Sequence, residues 1–277
     1  MKNRLLNILI IVLLTAGAGL LLYPTVSNYI HSKKSASVIT EYNEAYKNTE
    51  KERREEIISW AESYNERLFA ANAPLYKPSQ VTGYNDTLDL TGTGIMGYID
   101  IDKIGVEIPI YHGVDEGVLQ VGAGHLEGSS LPVGGNNTHC VLSGHRGLPS
   151  AKLFTDLDEL EVGDRFTITV LDRVLTYEVD QIKVVLPDNT SELAIVEGKD
   201  YCTLVTCTPY GINTHRLLVR GVRVEGVSER SPIYISNEAF RIDKTIVATF
   251  IALPMFVIVT VMAVIIERRR KRHDEEH

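Results

Sequence analysis

The chain has 277 residues, 44% of them hydrophobic, with a formal net charge of −8 and a sequence pI near 5.5. That is enough apolar content for one well-packed domain plus accessory segments, and a surface that acidic argues against nucleic-acid binding. Cysteine occurs only at 140, 202 and 207, too sparsely for a disulfide framework, so each thiol calls for its own explanation.

Leu5 to Tyr23 carries no charge and is close to the roughly 20 residues a helix needs to cross a bilayer; Thr245 to Ile266 is similar. Both predict transmembrane helices. Arg268 to Arg272 is a basic cluster behind the second run, and Lys2 and Arg4 precede the first. The positive-inside rule then leaves both ends in the cytoplasm and residues 24–244 outside. A cleaved leader ending near Ala16-Gly17-Ala18 is the competing reading, but that site falls in the middle of the apolar run.

Ser35 to Phe69 is rich in Glu, Lys and Arg, with Val38, Tyr42, Ala45, Ile57, Ala61, Tyr64 and Leu68 mostly three or four residues apart. The spacing predicts an amphipathic helix or pair of helices, interrupted around Thr49 to Arg53 and stopped by Pro74. Residues 70–93 hold Pro74, Pro78, Gly83, Asn85, Asp86 and Gly92 and read as a long loop. From Ile95 the pattern changes to strands: Ile95 to Ile101, Val106 to Tyr111, His139 to Ser143, Arg165 to Leu171, Val174 to Val185, Tyr201 to Cys207 and Leu217 to Val224. Short strands separated by turn signals predict a closed or nearly closed barrel. Gly122 to Asn137 is glycine-rich but lacks the Gly-Lys-Ser/Thr ending of a phosphate loop. Ser228 to Asp243, with mixed charges and Pro232, reads as a tether to the second span.

The stretch Tyr201 to Cys207 is a β-branched run broken at once by Thr208-Pro209 and a turn containing Gly211, so it predicts a strand that delivers a thiol to its exposed end. Alternation puts Cys207, Val205 and Thr203 on one face and Thr206, Leu204 and Cys202 on the other. If the chain turns back through residues 208 to 214, Arg216 falls near the start of the return strand, within side-chain reach of Cys207. A guanidinium there favours thiolate and can hold an oxyanion. A buried structural cysteine beside a surface arginine is the plain alternative.

A thiol nucleophile needs a proton-transfer partner, usually histidine. His145, in Leu142-Ser143-Gly144-His145-Arg146-Gly147, ends a predicted strand at a glycine-flanked turn; His125, in Gly124-His125-Leu126, is the second candidate. By alternation His215 points away from Arg216, and His112 sits beside a turn glycine. No compact zinc spacing occurs, and no Gly-x-Ser-x-Gly elbow surrounds Ser143.

Thr203-Leu204-Val205-Thr206-Cys207 followed by Arg216, with Ser143-Gly144-His145-Arg146-Gly147 upstream, resembles the sortase family of Gram-positive cell-surface transpeptidases. The likeness runs from Ile95 through Arg223 and includes the stretches Gly124 to Pro132 and Leu153 to Leu157. Those longer runs, with the second apolar span, are similar to the class C, pilus-building branch. The resemblance implies a mainly β fold: an eight-stranded β-barrel with an N-terminal helical segment and two flanking transmembrane helices. It implies Cys207 as nucleophile, His145 as general acid and base, and Arg216 as oxyanion or substrate-binding residue, with Thr206, Val205 and Thr208 binding substrate. The substrate it implies is an Leu-Pro-x-Thr-Gly-like sorting signal, cut between Thr and Gly through a thioacyl intermediate and passed to an amine, in the pilus branch a pilin lysine.

Expected partners are therefore pilins or other surface proteins bearing that signal, and the membrane, with no cofactor, metal or nucleic acid. Two alternatives stay open: a sortase that anchors proteins to peptidoglycan, and a catalytically silent barrel that binds sorting signals. The division that follows is a cytoplasmic terminus (1–4), a membrane helix (5–23), an extracellular helical segment and loop (24–93), the catalytic barrel (94–228), a tether (229–244), a second membrane helix (245–266) and a basic cytoplasmic tail (267–277). Class C enzymes commonly carry a lid with an Asp-Pro-aromatic tripeptide, which residues 70–93 lack; Ala73-Pro74-Leu75 is the nearest match. Weak or no autoinhibition is expected, unless Tyr76 or Tyr84 plugs the groove.

Overall fold

A computed structural model describes residues 2–71, 75 and 81–224. The chain divides into two compact units, one made of 1–27 with 235–277 and one of 28–234. Of the first, residues 2–27 are described, as the opening turns of helix α1 (Lys2–Asn48). Among the described residues no helix is long and apolar enough to cross a membrane. The expected span at 5–23 is therefore not supported by the described residues. The expected span at 245–266, the tether at 229–244 and the tail at 267–277 lie outside the described residues.

In the larger unit, α1 stops at Asn48, and α2 (Lys51–Ala71) begins where the apolar stripe has lapsed, so the amphipathic segment is a pair of helices. Its stripe is the docking face: Tyr42, Ile57, Ile58, Ala61, Tyr64 and Leu68 are all buried. Polar ties fix the register of that packing. The Tyr42 hydroxyl donates to Met96 O and accepts the Leu171 N–H, both at 3.0 Å. Asn65 donates to Leu131 O at 3.1 Å and accepts the Leu131 N–H at 2.7 Å. Leaving such buried backbone groups unpaired costs about 1–3 kcal/mol each.

Eight strands follow: β1 (Ile95–Ile101), β2 (Val106–His112), β3 (Ala123–His125), β4 (Thr138–Ser143), β5 (Arg165–Val170), β6 (Arg173–Val185), β7 (Asp200–Thr208) and β8 (His215–Arg223). They close into a barrel in the order β1-β2-β3-β4-β7-β8-β6-β5. The β2–β3 and β4–β7 pairs are parallel and the rest antiparallel. The strand missed in the sequence is β3, whose three residues lie inside the glycine-rich stretch and are too few to show alternation. Cys140, Leu142, Cys202, Leu204, Leu217 and Val219 point into the core of the barrel. Gly97 sits at a register shift between β1 and β2, where an added Cβ would lie 2.2 Å from Thr169 O. Only glycine fits that approach.

On the outer face, His139 of β4 joins the β6–β7 connection to the barrel. Its Nδ1–H donates to Ala194 O at 2.9 Å, and its Nε2 accepts from the Thr203 hydroxyl at 2.7 Å. Burial pushes its pKa down to about 4 from the ordinary 6.5. The unfolded chain therefore binds more protons between those values, and the stabilisation present above pH 6.5 is lost as pH falls toward 4, by up to about 3 kcal/mol. Urea unfolding at pH 7 and pH 4.5 is expected to show this loss, and His139→Gln should remove most of the difference. An unchanged pH dependence in the variant would assign acid sensitivity to other groups.

Candidate active site

The exposed end of β7 carries Cys207, and the chain turns at Pro209 to Asn213 so that β8 begins beside it. Cys207 and Arg216 are directly opposed partners of the antiparallel β7–β8 ladder. Opposed residues share a face, with Cβ atoms about 4.5–5.5 Å apart. Arg216 is braced by its own Nη1, which donates to His215 O at 3.1 Å and Asn213 O at 3.3 Å. The three thiols separate as alternation requires: Cys207 is half-buried on the outer face, whereas Cys140 and Cys202 are enclosed in the barrel as partners across β4 and β7. Burial pushes the Cys202 thiol well above its ordinary range.

His145 lies just past β4. Ser143 pairs with Val205 in the parallel β4–β7 ladder, and the Gly144 N–H donates to Val205 O at 3.0 Å. Two residues further along the two chains stand His145, past the end of β4, and Cys207, near the end of β7. The run from Leu153 to Leu157 builds the wall behind His145. Phe154 packs so closely on Gly144 that an added Cβ would lie 2.5 Å from its ring, and the Phe154 N–H donates to His145 O at 3.1 Å. Thr155 accepts the Gly147 N–H at 3.1 Å, and Arg146 is ion-paired to Asp158.

Of the other residues expected to bind substrate, Val205 lies on the Cys207 face in a small apolar cluster with Val141, Leu193, Leu218, Leu126 and Val185. Thr208 accepts from Arg146 Nη1 at 3.4 Å. Thr206 is turned inward instead: it is 2% exposed, and its hydroxyl donates to Gly144 O at 2.7 Å. Its side chain is withdrawn from the groove and clamps the His145 strand to the Cys207 strand. His125 lies on β3, which pairs with β2 and β4 and not with the strand that carries Cys207. It is fully enclosed, with Nε2–H donating to Ser130 O at 2.8 Å and Nδ1 2.9 Å from the Tyr84 hydroxyl. Tyr84 is thus a tie beneath β3 and not a plug of the groove; Tyr76 lies outside the described residues.

Two contacts at the site were not legible in the sequence. Glu116, on the short helix α3 (Glu116–Leu119), meets His145, although nothing in its spacing marks it among the many carboxylates. Leu75 packs on the apolar cluster that contains Val205. Among the described residues of the stretch 72–80, Leu75 brings an aliphatic side chain to that cluster. A half-covered leucine contributes about 1 kcal/mol, so Leu75→Ser is expected to speed alkylation of Cys207 about fivefold. An acceleration of several hundredfold would reveal a true lid, and none at all would show that Leu75 does not guard the thiol.

The sortase-domain family profile matches residues 99–224. Among curated proteins the chain is 35% identical over 131 residues to sortase D of Bacillus subtilis strain 168; the alignment spans 46% of this chain but only 63% of that protein's length. Among solved structures it is similar to sortase C1 of Streptococcus agalactiae, at 49% identity and TM-score 0.64, covering 69% of this chain and 99% of that one. It is also similar to a Clostridium perfringens sortase C solved with the C-terminal cell wall sorting motif, at 46% identity and TM-score 0.60, covering 69% of this chain and 99% of that one. The family profile covers the barrel from Ile99 of β1 on, with its thiol-bearing strand, and the chain belongs to the sortase family of cysteine transpeptidases, in its class C branch.

Proposed function

We propose that this protein cleaves an Leu-Pro-x-Thr-Gly-like sorting signal between Thr and Gly and transfers the threonyl carbonyl to a lysine amine of a pilin, so polymerising pilins. The observation that carries the reading is the ladder pairing of Cys207 with Arg216, with His145 following the end of β4, the strand that pairs with β7 on its other side. In this mechanism the Cys207 thiolate attacks the threonine carbonyl, and Arg216 holds the developing oxyanion. His145 gives a proton to the departing glycine amine as the thioacyl bond forms; it then takes one from the incoming lysine as that bond is broken by the amine. Val205 and the apolar cluster around it offer a surface for the leucine and proline of the signal.

The pilin as acceptor rests on likeness to the class C branch, and the acceptor decides between polymerisation and anchoring. Deleting the gene is expected to remove the high-mass ladder of covalently linked pilin from wall extracts while monomer persists. Persistence of the ladder with surface proteins shed into the medium would favour transfer to peptidoglycan instead. We further propose that the uncharged runs at 5–23 and 245–266 anchor the enzyme with its catalytic barrel outside. Protease added to protoplasts should then digest the barrel and spare a carboxyl-terminal tag; digestion of the tag would refute two spans.

A further inference from the structure

The loop after β2 folds into α3, whose first residue faces the segment that carries His145. Both carboxylate oxygens of Glu116 lie 3.3 Å from Nε2 of His145. The carboxylate is held from its other side by Gln120, whose Nε2–H donates to Oε1 at 3.1 Å. That hydrogen bond, together with the charge and hydrogen bond of His145, keeps the Glu116 carboxyl below its ordinary range, so it is ionised at neutral pH. An ionised carboxylate only accepts, so the hydrogen of this contact belongs to Nε2 of the histidine. Among the described residues, Nδ1 of His145 has no hydrogen-bond partner. Arg146, next in the chain, has its charge met by Asp158, and Cys207 and Arg216 face each other on β7 and β8, β7 being the strand that β4 pairs with.

Which imidazole nitrogen does chemistry is set by the bond the other one makes. We propose that Glu116 is a positioning residue for the acyl transfer: by accepting Nε2–H it fixes the His145 tautomer and makes Nδ1 the nitrogen that trades protons with the Cys207 thiol and with the leaving and entering amines. The step balances within the reaction described above. The thiol proton passes to Nδ1, goes on to the glycine amine, and is replaced by one from the lysine, while Glu116 remains ionised throughout. This proposal rests on the assignment of Cys207 and His145 made above.

The test compares two substitutions in the full-length chain. Glu116→Gln keeps an acceptor oxygen opposite Nε2, and Glu116→Leu removes it. The Glu116 side chain is 68% exposed, so both variants should fold, which a thermal melt verifies. With a sorting-signal peptide and an amine acceptor, kcat should fall about tenfold or more in Glu116→Leu, the size typical of a lost orienting partner. KM should stay within about twofold, and Glu116→Gln should retain most of the turnover. Histidine-selective nitrogen NMR above the histidine titration should show His145 as the Nε2–H tautomer in the native and Glu116→Gln proteins and as a mixture in Glu116→Leu. Full kcat and an undisturbed tautomer in Glu116→Leu, with turnover lost in His145→Ala, would overturn the role of Glu116 alone. Turnover surviving His145→Ala would instead overturn the underlying assignment of His145.

Discussion

Cys207→Ala is expected to abolish transpeptidation, a loss on the order of 10⁶ of the kind seen when a covalent nucleophile is removed from an acyl-transfer site. Cys140→Ala and Cys202→Ala should retain it. Cys207 is the thiol on the outer face, half-exposed and paired across the ladder with Arg216, whereas Cys140 and Cys202 are 2% and 0% exposed inside the barrel. Their replacement should register as lost stability, about 1–2 kcal/mol each, with turnover intact. A thiol-reactive probe on the folded protein ranks the three sites directly. Modification of Cys140 or Cys202 while Cys207 stays inert would overturn the assignment.

The second large effect is expected at His145. His145→Ala should lower kcat by ~10²–10⁴, the usual range for a lost general acid and base. Arg216→Ala should lower it by ~10²–10³ through the oxyanion. The informative control is His125→Ala. That imidazole bridges Ser130 O and the Tyr84 hydroxyl in a fully enclosed position, so its loss should cost roughly 3 kcal/mol of folding stability and leave turnover per folded molecule near native. If His125→Ala lost as much kcat as His145→Ala while remaining folded, the base would have been misassigned.

The chemistry of this protein was written along one strand. In Thr203 to Cys207, β-branched residues run up to a Thr-Pro break, and that local pattern already fixed the strand, its two faces, and which thiol would be displayed at the end. Amphipathic spacing likewise gave the helical segment and its interruption, while the structure decided that it is two helices; a helix that docks on a barrel must repeat its apolar residues every three or four positions. Such features depend on neighbours in sequence. The short strand β3 and the role of His125 do not, because each is decided by what lies across the barrel: two flanking strands and the Tyr84 hydroxyl. Leu75 on the Val205 cluster and Glu116 on His145 join residues far apart in the chain, and neither has a periodic signature. Closing the barrel is what brings β4, β7 and β8 side by side, with thiol and guanidinium directly paired and the histidine just past the end of the adjoining strand. The sequence by itself determined which side chains could do the chemistry; only the tertiary structure decided which of them meet, because hydrogen-bond register between distant strands is set by packing that no local pattern encodes.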